Sequence, residues 1–356
     1  MSVSVIVFEK EEKYIKEFIK LPRRLYGKRE LMQNVSEERA ILLEEHPFSH
    51  YFAIRRLLAV TEEGRTVGRA ILTIHPGDTT AFLGFYESEE DTEICKALVE
   101  QAEKLARKQG CDKLVGPVDA SFWIRYRFKT SHFGSPYTGE PYNKEYYKDL
   151  WQQAGFQVTE TYYSNRYRVV GKTDDSEKFK ARLAEKLEAG YVIKSPYDMD
   201  FQTAMLQVYD MIITLYSSFP VYKYIGKEEF VANYSYLQKL LNYDMVKLAY
   251  YQEKPVGFFI SIPNYGNLVY GKITLFDLVK ILQIKKKPKD YVMLYMGVDR
   301  EHAGLGKALA ETIKEELKKH KTPSVGALIR KGNINKDYFK ELIDFEYEYV
   351  LMEKKI

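Results

Sequence analysis

Apolar residues recur along this chain with two periods, and each switch of period marks a change of element. Ser4–Glu9 alternates, as a half-buried strand does. Lys13–Tyr26 and Ser36–His46 carry helical spacing, and Ser36 ahead of Glu37 and Glu38 fits a helix N-cap. Leu57–Thr61 and Val67–Ile74, joined by Glu62–Glu63–Gly64, read as a hairpin. Thr80–Tyr86 is a further strand. Asp91–Gly110 is a helix with Ile94, Leu98, Ala102 and Leu105 on one face. Lys113–Val118 follows as a strand, Gly134–Tyr142 as a loop, Asn143–Ala154 as a helix and Phe156–Val170 as one or two strands. After the short polar stretch Gly171–Asp175 the order repeats. Ser176–Ala189 is a charged helix that reads as a connector. Tyr191–Tyr197 is a strand, Phe201–Ser217 and Lys227–Leu241 are helices, and Met245–Tyr251 with Val256–Ile262 forms a second hairpin. Leu275–Ile284 is an inserted apolar helix ahead of the basic run Lys285–Lys289. Tyr291–Val298 is a strand, Gly304 opens a helix that runs to His320, Val325–Ile329 is a strand, Lys336–Asp344 a helix and Phe345–Glu353 a last strand.

The repeated order predicts two α/β (α+β) domains, residues 1–172 and 173–356. Each is expected to carry a central mixed, mostly antiparallel sheet with helices on both faces.

The stretch Tyr291–His320 carries the chemistry. A buried strand runs into a polar turn with Gly304 and Gly306, and an amphipathic helix follows with Leu305, Ala308, Leu309, Ile313 and Leu317 on its inner face. A helix N-terminus offers unpaired N–H groups and the positive end of the dipole. Glycines let the backbone approach a ligand closely. The N–H groups of His302–Lys307 can thus converge on a phosphate or pyrophosphate, with the Lys307 side chain beside them.

Composition narrows the picture. The 356 residues are 45% apolar, enough for real cores, and the formal charge of +4 gives no reason to expect a nucleic-acid partner. Two cysteines, Cys95 and Cys111, suit a reducing compartment. The N-terminus turns charged too early for a signal peptide, and no apolar run nears the roughly 18 residues of a spanning helix. These features predict a cytoplasmic protein without a membrane partner. The six histidines are scattered and show no metal-ligand spacing, so no metal is expected. The basic run Lys285–Lys289 reads as a solvated loop, or as a contact to an anionic ligand.

The stretch GVDREHAGLGKALAETI resembles the acetyl-CoA-binding motif of the GNAT N-acetyltransferase superfamily: a strand ending in Val, then Arg/Gln-x-x-Gly-x-Gly/Ala at a helix start. Glu301 stands where the family has Arg or Gln, with Arg300 beside it. The element order of both halves is the GNAT order, so the chain resembles a tandem GNAT protein over nearly its whole length. Its segment Gly134–Phe156 is similar to the N-terminal half of two-domain bacterial members. The resemblance implies acyl transfer from acetyl-CoA, or another acyl-CoA, to an amine of a small molecule or peptide. It implies cofactor contacts from Met296, Gly297, Val298, His302, Ala303, Gly304, Leu305, Gly306, Lys307 and Asn333. The tyrosine that often protonates the leaving thiolate falls at Lys340. Tyr338 lies two residues earlier, about 200° round a helix, and would face away. No catalytic residue is therefore assigned. Two other readings stay open: a FemX-like aminoacyl transferase, and a non-catalytic CoA-binding or regulatory protein of the same fold.

The matching turn of the first half, Tyr86–Glu93, has no glycine and carries Glu87, Glu89, Glu90, Asp91 and Glu93. Such a turn would repel pyrophosphate, so one cofactor per chain is expected.

Overall fold

The computed structural model describes residues 2–356. Its first half comprises β1 (Val3–Phe8), α1 (Glu12–Leu25), α2 (Val35–Leu43), β2 (Ala53–Thr61), β3 (Thr66–Ile74), β4 (Thr80–Ser88), α3 (Thr92–Lys108) and β5 (Lys113–Gly116). Three short strands follow, β6 (Val118–Asp119), β7 (Arg125–Tyr126) and β8 (Phe128–Lys129), then α4 (Tyr147–Gln153) and β9 (Gln157–Tyr167). The second half comprises α5 (Glu177–Glu188), β10 (Tyr191–Lys194), α6 (Phe201–Leu215), α7 (Lys227–Tyr234), α8 (Leu237–Leu240), β11 (Val246–Tyr251) and β12 (Lys254–Pro263). It ends with α9 (Leu275–Lys286), β13 (Tyr291–Val298), α10 (Leu305–His320), β14 (Ser324–Arg330) and β15 (Ile343–Lys355).

Each half builds the expected mixed, mostly antiparallel sheet, with one parallel pair apiece, β4–β5 and β13–β14. The two do not stay separate. They join into one 13-stranded sheet in the order β1-β2-β3-β4-β5-β15-β9-β14-β13-β12-β11-β10, with β8 added on β15. At the join the halves exchange strands. β15, from the second half, pairs with β5 of the first; β9, from the first half, pairs with β14 of the second; and β9 and β15 pair with each other. A lone terminal strand in either half would leave an open edge of unpaired N–H and C=O groups. The exchange closes both edges.

The loop at 134–142 straps the halves together. The Tyr137 hydroxyl meets Ser164 Oγ at 2.9 Å and Tyr349 Oη at 3.0 Å. Thr138 N–H donates to Asn264 Oδ1 at 3.0 Å, and Gly139 N–H donates to Tyr270 Oη at 3.1 Å. Beneath it the buried Lys129–Glu140 ion pair closes at 2.6 Å, and Tyr349 Oη donates to the same carboxylate.

Three local expectations change. Asn34, not Ser36, caps α2, its side chain accepting from Glu37 N–H. The helix expected over Lys336–Asp344 is two short 3-10 turns, 334–337 and 340–342, separated by Phe339 at φ 51°. The connector helix, α5, packs along α10 and contributes Phe179 to that core.

Candidate functional site

β13 and β14 pair only at Tyr291↔Ser324, Val292↔Val325 and Met293↔Gly326. Beyond that they part. β14 shifts register between Gly326 and Ile329, with Leu328 at φ 58° and its N–H held by Ser164 Oγ at 2.9 Å. β13 bulges against β12 between Ile260 and Ser261. Each strand is thus pulled towards its other neighbour, and a gap opens between Leu294–Val298 and the end of β14.

The gap joins the two faces of the sheet. Met296 and Val298 face α10, whereas Tyr295 packs with α6. The Met296 carbonyl accepts from Tyr216 Oη at 3.4 Å, so it points into the gap and not to β12; with a period of two, Val298 shares that side. Gly297 lets α6 come close, since a Cβ there would lie 2.5 Å from the Phe258 ring and 2.8 Å from Leu215.

Asp299–Gly304 forms the turn at the head of the gap. His302 N–H donates to the Asp299 carbonyl at 2.9 Å, and Leu305 N–H to the His302 carbonyl at 3.2 Å. The His302 ring accepts or donates at Tyr191 Oη at 2.8 Å and lies against Tyr191 and Tyr251. Both parts of His302 are therefore used by the turn itself. Gly304, at φ 84°, starts α10 without a side-chain cap. Among the described residues, the N–H groups of Ala303, Gly304 and Gly306 find no acceptor within the chain. Leu305 is fully buried under the helix.

Cations gather over these free donors. The Arg182 side chain from α5 lies across Gly304, its Cδ 2.9 Å and its Nε 3.1 Å from where a Cβ would stand. Lys307 has its pKa lowered by burial, and then by the neighbouring charges of Lys178 and Arg182. Among the described residues, the only ion pair in this trio is Arg182 with Glu185 on its own helix. The sequence reading found Lys307 but not Lys178 or Arg182. Their helix follows the domain boundary, and only the packing of α5 on α10 brings them to the turn. Glu301 and Arg300 stand in the turn without ion pairs among the described residues.

Tyr338 corrects the helical argument. Because 334–342 is not a helix, the 200° rotation does not apply. Phe339 turns left-handed after it, and the Tyr338 hydroxyl comes within 3.2 Å of a Cβ position on Gly306. Phe179 holds the ring edge-on at 5.2 Å. Burial raises the pKa of Tyr338, so it stays protonated at neutral pH. Asn333 follows β14 and caps the 3-10 turn, its side chain accepting from Asn335 N–H at 3.5 Å.

Met296–Val298, His302–Gly304, Gly306, Asn333 and Tyr338 line one cavity of about 710 Å³, which runs from the turn through the gap to the α6 side. The first half supplies part of its far wall, Phe122–Arg127. Arg127 is unusual there. It is 9% exposed, sits at φ 93°, donates from Nη2 to Tyr126 Oη, and has no carboxylate partner among the described residues. Its guanidinium lies 3.6 Å from the Tyr126 ring centre and 4.0 Å from that of Tyr162, and its Nε is buried without an acceptor.

The first half has no such opening. Its β4–β5 gap is filled by its own chain: Phe85 N–H donates to Asp119 Oδ1 at 2.5 Å, and a Cβ on Gly84 would lie 1.8 Å from the Val118 carbonyl oxygen. The acidic turn is also less open than expected. Glu87 is buried and takes hydrogen bonds from Tyr26 and Tyr147, each at 2.7 Å. Asp91 occupies the α3 N-terminus, accepting from Glu93 N–H at 2.8 Å.

No family model and no curated relative matches the sequence. Solved structures do. A tandem GNAT protein from the clavulanic acid biosynthesis pathway is 14% identical with a TM-score of 0.55, over 99% of this chain and 98% of that one. A GCN5-related glucosamine N-acetyltransferase region of a fungal multi-domain GH3 β-N-acetylglucosaminidase is 12% identical with a TM-score of 0.52, over 99% of this chain but only 38% of that one. A GCN5-related N-acetyltransferase from Kribbella flavida is 8% identical with a TM-score of 0.50, over 99% and 70%. The fold is that of the GNAT acetyltransferases, and its tandem form is matched from end to end.

Proposed function

We propose that the chain is an acyl-CoA-dependent acyltransferase acting on an amine, with its one active site in the second half, residues 173–356. The observation that carries this reading is the turn: three free N–H groups, from Ala303, Gly304 and Gly306, under the charges of Lys178, Arg182 and Lys307. Such a cradle suits a pyrophosphate. The pantetheine arm would lie in the β13–β14 gap against backbone groups of Met296 and Val298, flanked by Gly297 and Asn333.

The acceptor would come from the α6 side. Its nitrogen attacks the thioester carbonyl, a C–N bond forms, the C–S bond breaks, and the departing thiolate takes a proton from Tyr338, which regains one from solvent water. The nitrogen's surplus proton passes to solvent water. Much of the acceleration is positioning, which alone supplies several kcal/mol. Arg127 gives the acceptor side a charge that can fix an anionic group.

Titration calorimetry with acetyl-CoA tests the reading. One site per chain is expected, as the filled gap of the first half, residues 1–172, leaves no room for a second. No heat with acetyl-CoA or CoA overturns it.

A further inference from the structure

We propose that the chamber on the α6 side of the gap holds a hydrocarbon chain, so that one of the two reactants is a long-chain lipid-like molecule. This rests on the acyl-transfer reading and extends it. Its apolar wall is made by Met205, Val208 and Ile212 of α6, Phe230 of α7, Leu241 and Phe122, while Tyr216, Tyr234, Tyr243 and Tyr295 line the same cavity. None of the apolar wall's side chains carries a strong hydrogen-bonding group. Protein interiors keep few voids larger than a water molecule. Water against this wall finds few of the two to four polar partners it needs. At the rim the hydroxyls of Tyr216 and Tyr234 donate to the Met296 and Trp123 carbonyls. At that rim Arg127, which has no carboxylate partner among the described residues, offers a partner for a polar head, so the site is built for an amphiphile.

The chain could belong to the thioester or to the amine, and one experiment separates them. Binding is measured by calorimetry for acyl-CoAs of two to sixteen carbons, and for straight-chain alkylamines of the same lengths with CoA saturating. Affinity should rise about fourfold per methylene until the chamber fills, the equivalent of about 0.8 kcal/mol each. A slope in the first series places the chain on the donor, and a slope in the second places it on the acceptor. Met205→Trp should shorten the length at which the slope ends. If CoA binds but neither series shows a slope, the chamber proposal is wrong and the acyl-transfer reading stands. If CoA itself does not bind, the acyl-transfer reading is the one that fails.

A second observation is independent of the chamber. α9 turns its apolar side outward: Leu275 is 84% exposed, Phe276 68%, Leu282 57% and Val279 51%. Only Ile281 of this helix is buried. Lys280 lies over the Phe276 ring at 4.2 Å, and Lys272, Lys286, Lys287 and Lys289 are exposed at the two ends of the helix. The basic run is thus part helix and not wholly loop. An apolar stripe bordered by lysines matches the interface of an anionic bilayer, with the lysines at the headgroups. We infer that α9 docks the protein on such a surface without crossing it. Co-sedimentation with phosphatidylcholine vesicles carrying about a third phosphatidylglycerol should retain the protein, and pure phosphatidylcholine should retain much less. The combined change Leu275→Ser, Phe276→Ser and Val279→Ser should release it while the melting midpoint holds. Protein left in the supernatant with anionic vesicles overturns the inference. So does a dimer, seen by light scattering, that the same change dissolves, since the stripe would then cover a second copy.

Discussion

At the scale of single residues, the two glycines of the turn have different duties. Gly304 has the positive φ, and Arg182 fills the space beside it. Gly304→Ala should therefore lower stability by about 1–2 kcal/mol, read as a fall in the urea midpoint. Gly306 has ordinary helical backbone and faces Tyr338, Met296 and Val298. Gly306→Glu puts a carboxylate against those side chains, and should lower the ligand-free melting midpoint as well as remove the shift given by acetyl-CoA. A variant that still binds with parental affinity would show that this turn is not the cofactor site. Tyr338→Phe should lower kcat by about a hundredfold or more with KM little changed, as loss of a proton donor does. His75 sets a different expectation. Burial first, and then the charge of Lys223, hold its pKa down at about 4. The folded chain refuses a proton that the unfolded chain accepts near pH 6.5. Stability is therefore complete above about pH 6.5 and declines as the pH falls towards 4, by about 3 kcal/mol in all. Urea midpoints at pH 7 and pH 4.5 should differ less for His75→Leu than for the parent.

At the scale of elements, what the sequence showed and what it hid have a common cause. Periodicity located α3, α10, both hairpins and β13, because each buries one continuous face. The turn was readable because strand, glycines and helix are adjacent in the chain. The cations of α5 were not. Lys178 and Arg182 lie more than a hundred residues before Gly304, and nothing local places them at this turn. Arg182→Gln should weaken acetyl-CoA binding about tenfold with no loss of secondary structure by circular dichroism, in line with one charge-assisted contact. The missed 3-10 turns have a physical reason too. Ile334 and Lys336–Lys340 can satisfy helical spacing, but Phe339 in the left-handed region breaks the ladder and brings Tyr338 round to the turn. The filled gap of the first half was hidden in the same way. Its acidic turn was visible, but the decisive contact, the Val118 carbonyl against Gly84, depends on a chain path after β5 that no periodicity records.

At the scale of the whole molecule, strand exchange ties the two halves into one folding unit. β15 supplies first-half partners from Lys113 to Gly116, and β9 supplies second-half partners from Ser324 to Arg330. The buried Lys129–Glu140 pair sits under this seam, and its carboxylate is also held by Tyr349 of β15. A fragment of residues 1–172 would keep β9 but lose β15. β5 would face water as a naked edge, and Glu140 would lose one of its buried donors. A fragment of residues 173–356 would lose β9, leaving β14 open on the side that shapes the gap. Each loss removes a ladder of hydrogen bonds and exposes apolar surface on Tyr162, Tyr349 and Leu351. Separate expression of the two fragments should therefore yield aggregated or unfolded protein, and co-expression should recover a soluble pair that binds acetyl-CoA once. The intact chain should unfold in a single transition, with tyrosine fluorescence and far-ultraviolet circular dichroism giving the same midpoint. Two separated transitions, or a well-folded 1–172 fragment with sharp amide dispersion by NMR, would show that the exchanged strands are dispensable. The gap between β13 and β14 would then owe its shape to the second half alone.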